Sequence, residues 1–327
     1  MRRCFLIIAM LLSAVIISGC STQAEASHLG AGEDERISIV VQIFPQYDWV
    51  RNIIGEENRS RFDLTFLLDD GVDTHSFNPS VSDMVRIKTS DVFMYVGGHS
   101  DVWVYDLLTS ADTNPNIRTM NLLEVLGDDV LLQGFCDIAD CDEEHDDDFL
   151  RDEHVWLSLR FAKLICDAIA DMLAEIDPDY AHVYRANAEA YIAKLAALDA
   201  EFRAVVESAP VSTLVFADRF PFRYFMYDYG LSHYAAFRGC SAESEASFVI
   251  IISLANRINQ LGLDVVMVTE TSDKSIARTV ISSTERRDQR ILVLNSIKTV
   301  TARDLQDGIT YLSIMRDNLD VLREALN

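Results

Sequence analysis

PDYAHVYRANAEAYIAKLAALDAEFRAVVE, residues 178–207, decides how this chain is organised. Tyr180, Val183, Tyr184, Ala188, Tyr191, Leu195 and Leu198 recur at helical spacing. Asp177-Pro178 opens the run and Pro210 closes it, with neither Pro nor Gly between Asp179 and Ala209. At 1.5 Å per residue such a helix is about 45 Å long, enough to span a pair of domains. On both sides of it, strand-like and helix-like segments alternate. The expected fold is therefore α/β: two α/β lobes with mostly parallel sheets, joined by one long rigid helix.

Upstream, residues 37–43 are β-rich, 45–54 read as a helix, and 62–68 as a strand broken by Asp69-Asp70-Gly71. Ser80, with Asp83 three residues on, starts a helix in the manner of a capping box. Residues 92–96 form a short apolar strand ending in Gly97-Gly98, and 159–173 a helix. Downstream, strands are expected at 213–216, 264–269 and 291–294. Helices are expected at 222–229, 246–261 and 273–283, with a single terminal helix from about Ala302. The domain plan is an N-terminal lobe over 37–176, the linking helix over 177–209 and a C-terminal lobe over 210–327.

The first residues have their own logic. Met1-Arg2-Arg3 and an apolar run to Ile17 read as a secretory signal over 1–19. Ser18-Gly19-Cys20 reads as a bacterial lipobox that leaves Cys20 acylated, with 20–36 as a polar tether. That places the chain on the outer face of the cytoplasmic membrane. Of 327 residues, 52 are acidic and 28 basic, and two of the basic ones, Arg2 and Arg3, lie in the leader. So negative a chain is unsuited to nucleic acid or anionic lipid and compatible with cationic ligands. Cys136, Cys141, Cys166 and Cys240 are the remaining thiols, in a compartment that permits disulfides. Pairing and metal binding both stay open for them.

Two of the seven histidines sit in loops at strand or helix boundaries, and the loop after a strand is where parallel α/β sheets bind ligands. His75 lies in Gly71-Val-Asp-Thr-His-Ser-Phe-Asn-Pro-Ser80, after a strand and before a helix. His154 lies where the acidic segment 136–153 turns into a helix. Imidazole nitrogen suits zinc and neighbouring divalent metals. The acidic segment itself reads first as a solvated charge run, with His145, Glu143, Glu144 and Asp146 as a weak auxiliary cation site. His99, beside Gly98, is a further candidate for the cleft, whereas His182 and His233 read as structural or exposed.

These motifs resemble the metal-binding lipoproteins of bacterial ABC importers for zinc and manganese. The matching features are Phe44-Pro-Gln-Tyr-Asp48, the His75 decapeptide, Ser90-Asp91, Tyr95-Val-Gly-Gly98, Trp103, His154-Val-Trp-Leu157, Tyr229-Gly-Leu231 and Ser241-Ala-Glu-Ser-Glu-Ala-Ser247. The resemblance implies the helical-backbone metal-receptor fold, with metal in the cleft between the lobes. It implies a receptor rather than an enzyme, most simply a monomer that captures zinc, or manganese, and hands it to a membrane permease. It makes His75 and His154 the N-lobe ligands. The usual C-lobe ligand positions fall on Arg219 and Asn295, which are a cation and a weak donor. Asp218, next to Arg219, is the first substitute, with Glu243 and Glu270 behind it. Two alternatives remain. One is an anionic metal chelate held by Arg219 and Arg223. The other is a metallohydrolase, for which no HExxH-like motif is present.

Overall fold

The computed structural model describes residues 36–127, 152–237, 239 and 246–327. The leader, Cys20, the tether as far as residue 35, Cys136, Cys141, Cys240, Glu243 and the auxiliary group His145, Glu143, Glu144 and Asp146 lie outside the described residues.

The N-lobe contains β1 (Ile37–Val41), α1 (Phe44–Ile54), β2 (Phe62–Phe66), α2 (Val81–Thr89), β3 (Val92–Tyr95), α3 (Val102–Leu108), β4 (Arg118–Asn121) and α4 (Leu122–Leu126). Its four strands are parallel in the order β2-β1-β3-β4. The two central strands are buried on both faces, which is why β1 and β3 read as apolar runs rather than alternating ones. The capping box at the start of α2 forms as expected, with Ser80 accepting from Asp83 N–H and Asp83 accepting from Ser80 N–H.

Helices α5 (Leu159–Ile176) and α6 (Ala181–Ser208) form a hairpin through a single 3-10 turn, Pro178–Tyr180. Asp177 fixes the turn by accepting from Arg61 and from Tyr184 Oη at 2.6 Å. The buried face of α6 is Tyr184, Ala188, Tyr191, Leu195, Leu198, Asp199 and Phe202, nearly the stripe expected from spacing. Tyr180 and Val183 are only half-buried.

The C-lobe contains β5 (Thr213–Phe216), α7 (Arg223–Tyr229), β6 (Ser232–Ala235), α8 (Phe248–Leu261), β7 (Val265–Val268), α9 (Ser275–Ser282), β8 (Arg290–Val293), α10 (Ala302–Gln306) and α11 (Tyr311–Ala325). Its sheet is parallel in the order β6-β5-β7-β8. Alternation along the strands divides the core. Val215, Val266 and Val268 pack with α8 and α9, whereas Leu214, Phe216, Val265 and Met267 join the main core with α6, α7 and α11.

The single terminal helix expected from Ala302 is in fact two. Gly308 takes a φ of 83°, and Thr310 starts a new helix with a capping box to Ser313. Helix α11 then returns to the N-lobe. Buried Asp48 of α1 accepts from Tyr191 Oη of α6 and from Tyr311 N–H of α11, both at 3.1 Å. The Trp49 and Tyr311 rings meet edge to face at 5.2 Å. One carboxylate thus ties together the first helix, the linking helix and the last.

Candidate metal centre

The loop after β2 presents His75. Asp73 Oδ1 accepts from His75 N–H at 3.0 Å and caps a one-turn 3-10 segment, Thr74–Ser76. His75 Nδ1 lies 2.8 Å from Ser100 Oγ. Behind it, buried Glu153 accepts from Ser100 N–H at 2.8 Å and places its other oxygen 3.8 Å from His75 Nδ1. Gly98 makes room for this carboxylate: a Cβ there would stand 2.7 Å from Glu153 Cγ.

His154 is built in the same manner. Asp152 Oδ1 accepts from His154 N–H at 2.9 Å and lies 2.6 Å from its Nδ1. An ionised carboxylate can only accept, so Nδ1 carries the proton, and in the neutral ring Nε2 is then the nitrogen with a lone pair to offer a metal. His75 reaches the same state when its Nδ1–H donates to Ser100. A carboxylate or hydroxyl behind a ligating imidazole fixes its tautomer and raises its basicity.

The two Nε2 atoms are 3.3 Å apart. Two nitrogens at the usual zinc distance of about 2.0–2.1 Å, subtending a tetrahedral angle, lie about 3.3–3.4 Å apart. The pair therefore has the separation of two ligands on one ion. The His154 ring is 5% exposed and that of His75 26%, so the mouth of the pair opens on the His75 side.

C-lobe groups reach both aspartates. Lys298 Nζ is 3.4 Å from Asp73 Oδ2, and Arg223 Nε is 3.6 Å from Asp152 Oδ2. Tyr224 Oη donates to the Asp152 carbonyl at 2.8 Å, and Trp156 Nε1 to the Ser296 carbonyl at 2.9 Å. Burial alone would raise both carboxyls. Lys298, then the His75 N–H, hold Asp73 below its ordinary value, and His154 with Arg223 do the same for Asp152.

The two expected C-lobe ligands among the described residues, Asp218 and Glu270, are otherwise engaged. Asp218 accepts from Thr269 N–H and Oγ1, at 2.9 and 2.8 Å, and from Arg219 N–H at 2.8 Å. Glu270 accepts from Ser296 N–H and Oγ, both at 2.8 Å. Asn295 Oδ1 accepts from Ile297 N–H at 2.8 Å and steadies that residue at a φ of 60°. Among the described residues no third His, Cys, Asp or Glu joins His75 and His154 in a group able to hold a metal. Arg223 pairs with Asp152, and Arg219 is half-buried. His99 and His182 are exposed, and His233 stacks on Phe220 at 4.1 Å.

Sequence reasoning passed over Asp73, Asp152, Ser100, Glu153 and Lys298. One signal for the aspartates was on view: both histidines sit in Asp-x-His, at 73–75 and 152–154.

Two parallel-sheet lobes bridged by one long helix, with paired imidazoles in the N-lobe where C-lobe side chains reach it, are the architecture of a two-lobed metal receptor. The chain belongs to the family described as ZnuA, zinc-uptake complex component A, periplasmic, which matches residues 39–325. It is 28% identical over 297 residues to the zinc-binding protein AdcA of Streptococcus pyogenes, covering 88% of this chain and 56% of that one. It is 24% identical over 330 residues to the high-affinity zinc uptake system protein ZnuA of Bacillus subtilis, covering 98% and 96%. The crystal structure of the Zn(II)-bound ZnuA-like domain of Streptococcus pneumoniae AdcA aligns with a TM-score of 0.69 at 25% identity, over 89% of this chain and 99% of that domain. The chain thus spans little more than half the length of the AdcA relatives.

Proposed function

We propose that this protein is an extracytoplasmic receptor that captures one zinc ion and delivers it to an ABC importer's membrane permease. The observation that carries the reading is the pair of Nε2 atoms at 3.3 Å, each ring backed at Nδ1. Borderline nitrogen donors favour zinc over manganese. The chain acts as a monomeric solute-binding protein, not an enzyme. It is held to the outer face of the cytoplasmic membrane through acylated Cys20.

In this proposal a carboxylate among Asp218, Glu243 and Glu270 closes the shell, because two neutral imidazoles leave zinc with open positions and uncompensated charge. For Asp218 or Glu270 that means giving up hydrogen bonds worth about 1 kcal/mol each.

Metal analysis and competition titration of the chain beginning after Cys20 test the reading. One zinc per chain is expected, with manganese weaker. Tight 1:1 zinc binding that survives the double change His75→Ala with His154→Ala would defeat it. For the anchor, Cys20→Ala is expected to move the protein from the membrane fraction to the soluble one.

A further inference from the structure

The two histidines are held by one repeated device, and the C-lobe grips both copies of it. In each Asp-x-His unit, one carboxylate oxygen accepts from the histidine N–H, Asp73 for His75 and Asp152 for His154. The other oxygen faces a cation from the opposite lobe, Lys298 for Asp73 and Arg223 for Asp152. The two cations come from different elements. Arg223 opens α7, and Lys298 lies in the loop after β8. That loop is fixed from below: Glu270 accepts from Ser296 N–H at 2.8 Å and from Lys298 N–H at 3.4 Å.

Burial makes these pairs consequential. The Lys298 side chain is 5% exposed against 20% for Asp73, and that of Asp152 8% against 17% for Arg223, so each pair has one buried partner. Removing one partner of a buried pair leaves the other charge uncompensated. A short strap runs beside the Asp73 pair: Ala302 N–H donates to the Asp69 carbonyl at 2.7 Å, and Asp70 bridges to Thr301. The His75 loop is therefore seated on the C-lobe over several residues, with Lys298 at the end nearest the histidine.

We infer that the C-lobe controls zinc retention through Lys298 and Arg223, positioning residues that clamp Asp73 and Asp152 and so keep the two Nε2 atoms in ligating register. The inference rests on the zinc-receptor reading proposed above. Neither cation touches the ion. Each neutralises the aspartate that caps its histidine, and separation of the lobes would withdraw both at once. Release of the cargo is then coupled to lobe contact through two equivalent clamps, whichever carboxylate closes the shell.

The test is a double-mutant cycle on zinc release, read by stopped flow with excess chelator on the detergent-solubilised full chain. Lys298→Met and Asp73→Asn are each expected to speed release at least tenfold. The double variant should be no faster than the faster single, because each change breaks the same contact. Lys298→Arg should restore the rate to within about threefold, which a merely space-filling role would not require. Arg223→Met with Asp152→Asn forms an independent cycle of the same design, and it decides the matter if Lys298→Met fails to fold.

Rates unchanged within twofold, multiplicative effects in the double variant, or slower release in Lys298→Met would each overturn the clamp. The last outcome would mean that the lysine merely repels the metal. A parent chain that binds no zinc defeats the receptor reading itself. Normal zinc binding with additive cycles defeats only the clamp.

Discussion

The two lobes share one topology and use it differently. Each sheet runs second-first-third-fourth in its own strand order, β2-β1-β3-β4 and β6-β5-β7-β8. At the carboxyl ends of the N-lobe strands, carboxylates turn toward histidines: Asp73 and Asp152 cap them, and Glu153 backs Ser100. At the same ends of the C-lobe strands, Asp218 and Glu270 turn inward and satisfy backbone N–H groups of neighbouring loops. The C-lobe sends a lysine, an arginine and the Tyr224 hydroxyl across to the histidine units. Among the described residues, the N-lobe thus brings the two imidazoles together, and the C-lobe sets a cation against the aspartate beside each.

The sharpest way to break that division is to remove donors from each lobe in turn. His75→Ala and His154→Ala are each expected to weaken zinc binding about a thousandfold or more, roughly 4 kcal/mol. Of Asp218→Asn, Glu243→Gln and Glu270→Gln, one is expected to cost ten- to a hundredfold, and the others little. Competition titration against a chelator of known affinity measures all five. Equal losses on both sides would erase the asymmetry. No loss in any carboxylate variant would leave the shell to water or to a residue not named here.

The joint between the lobes offers the next largest effect. Asp48 holds Tyr191 of α6 and the first N–H of α11 in a buried setting. Asp48→Ala strands both donors, and about 2–4 kcal/mol of stability should be lost by chemical denaturation. Burial raises the Asp48 carboxyl, against the opposing hydrogen bonds. The stability tied to its protonation is thus full at low pH and fades as pH rises through the raised value, so mild acid should not loosen this joint. Unfolding in two separated transitions at neutral pH would show that the lobes are coupled more weakly than the shared core suggests.

Much of this plan was legible in the sequence because it is written in local periods. The long helix, the apolar central strands and the Ser80 capping box all follow from residues a few positions apart. The short edge strands β4 and β6 were not: Arg118-Thr-Met-Asn121 and Ser232-His-Tyr-Ala235 are half-exposed and lack an apolar run. Helix α3 and the break at Gly308 were also missed, since Val102–Leu108 is short and one glycine within a periodic pattern does not announce a boundary. At the candidate site, loop position singles out His75 and His154 as candidates, and the fold brings their rings together. Lys298 could not be singled out, because its partner lies 225 residues away and nothing near it in sequence marks the contact.

A smaller effect separates the N-lobe's buried acids from one another. Asp101 is pushed up to about 6 by burial, against hydrogen bonds from Gly97 N–H and Gln42 that favour its charged form. Because its folded value lies above the ordinary 3.8, its contribution is full below about pH 4 and is lost as pH rises through about 6. Denaturation at pH 4.5 and pH 7 should show parent stability falling by about 1–2 kcal/mol more across that interval than in Asp101→Asn. An identical pH slope in the two proteins would mean that Asp101 ionises normally.

The smallest expected effect concerns the acidic segment before His154. If the N-lobe site is positioned from across the cleft, it should be indifferent to the chain leading into it. Asp152 is held by Arg223 through its carboxylate and by Tyr224 through its carbonyl, and Trp156 is held by Ser296, so both ends of the His154 turn are fastened to the C-lobe. None of these contacts involves residues 137–148. Deleting them should leave the affinity of the central site within about tenfold, roughly 1.4 kcal/mol. What changes should be electrostatic: the deletion removes a block of like charge whose attraction for cations is long-range and screened by salt, so any loss in association rate should vanish at high ionic strength. A deletion that abolishes the tight event at every salt concentration would move the functional site into the segment. One that leaves equilibrium binding intact and slows only low-salt association would assign the segment to cation gathering and the Asp-x-His pair to retention.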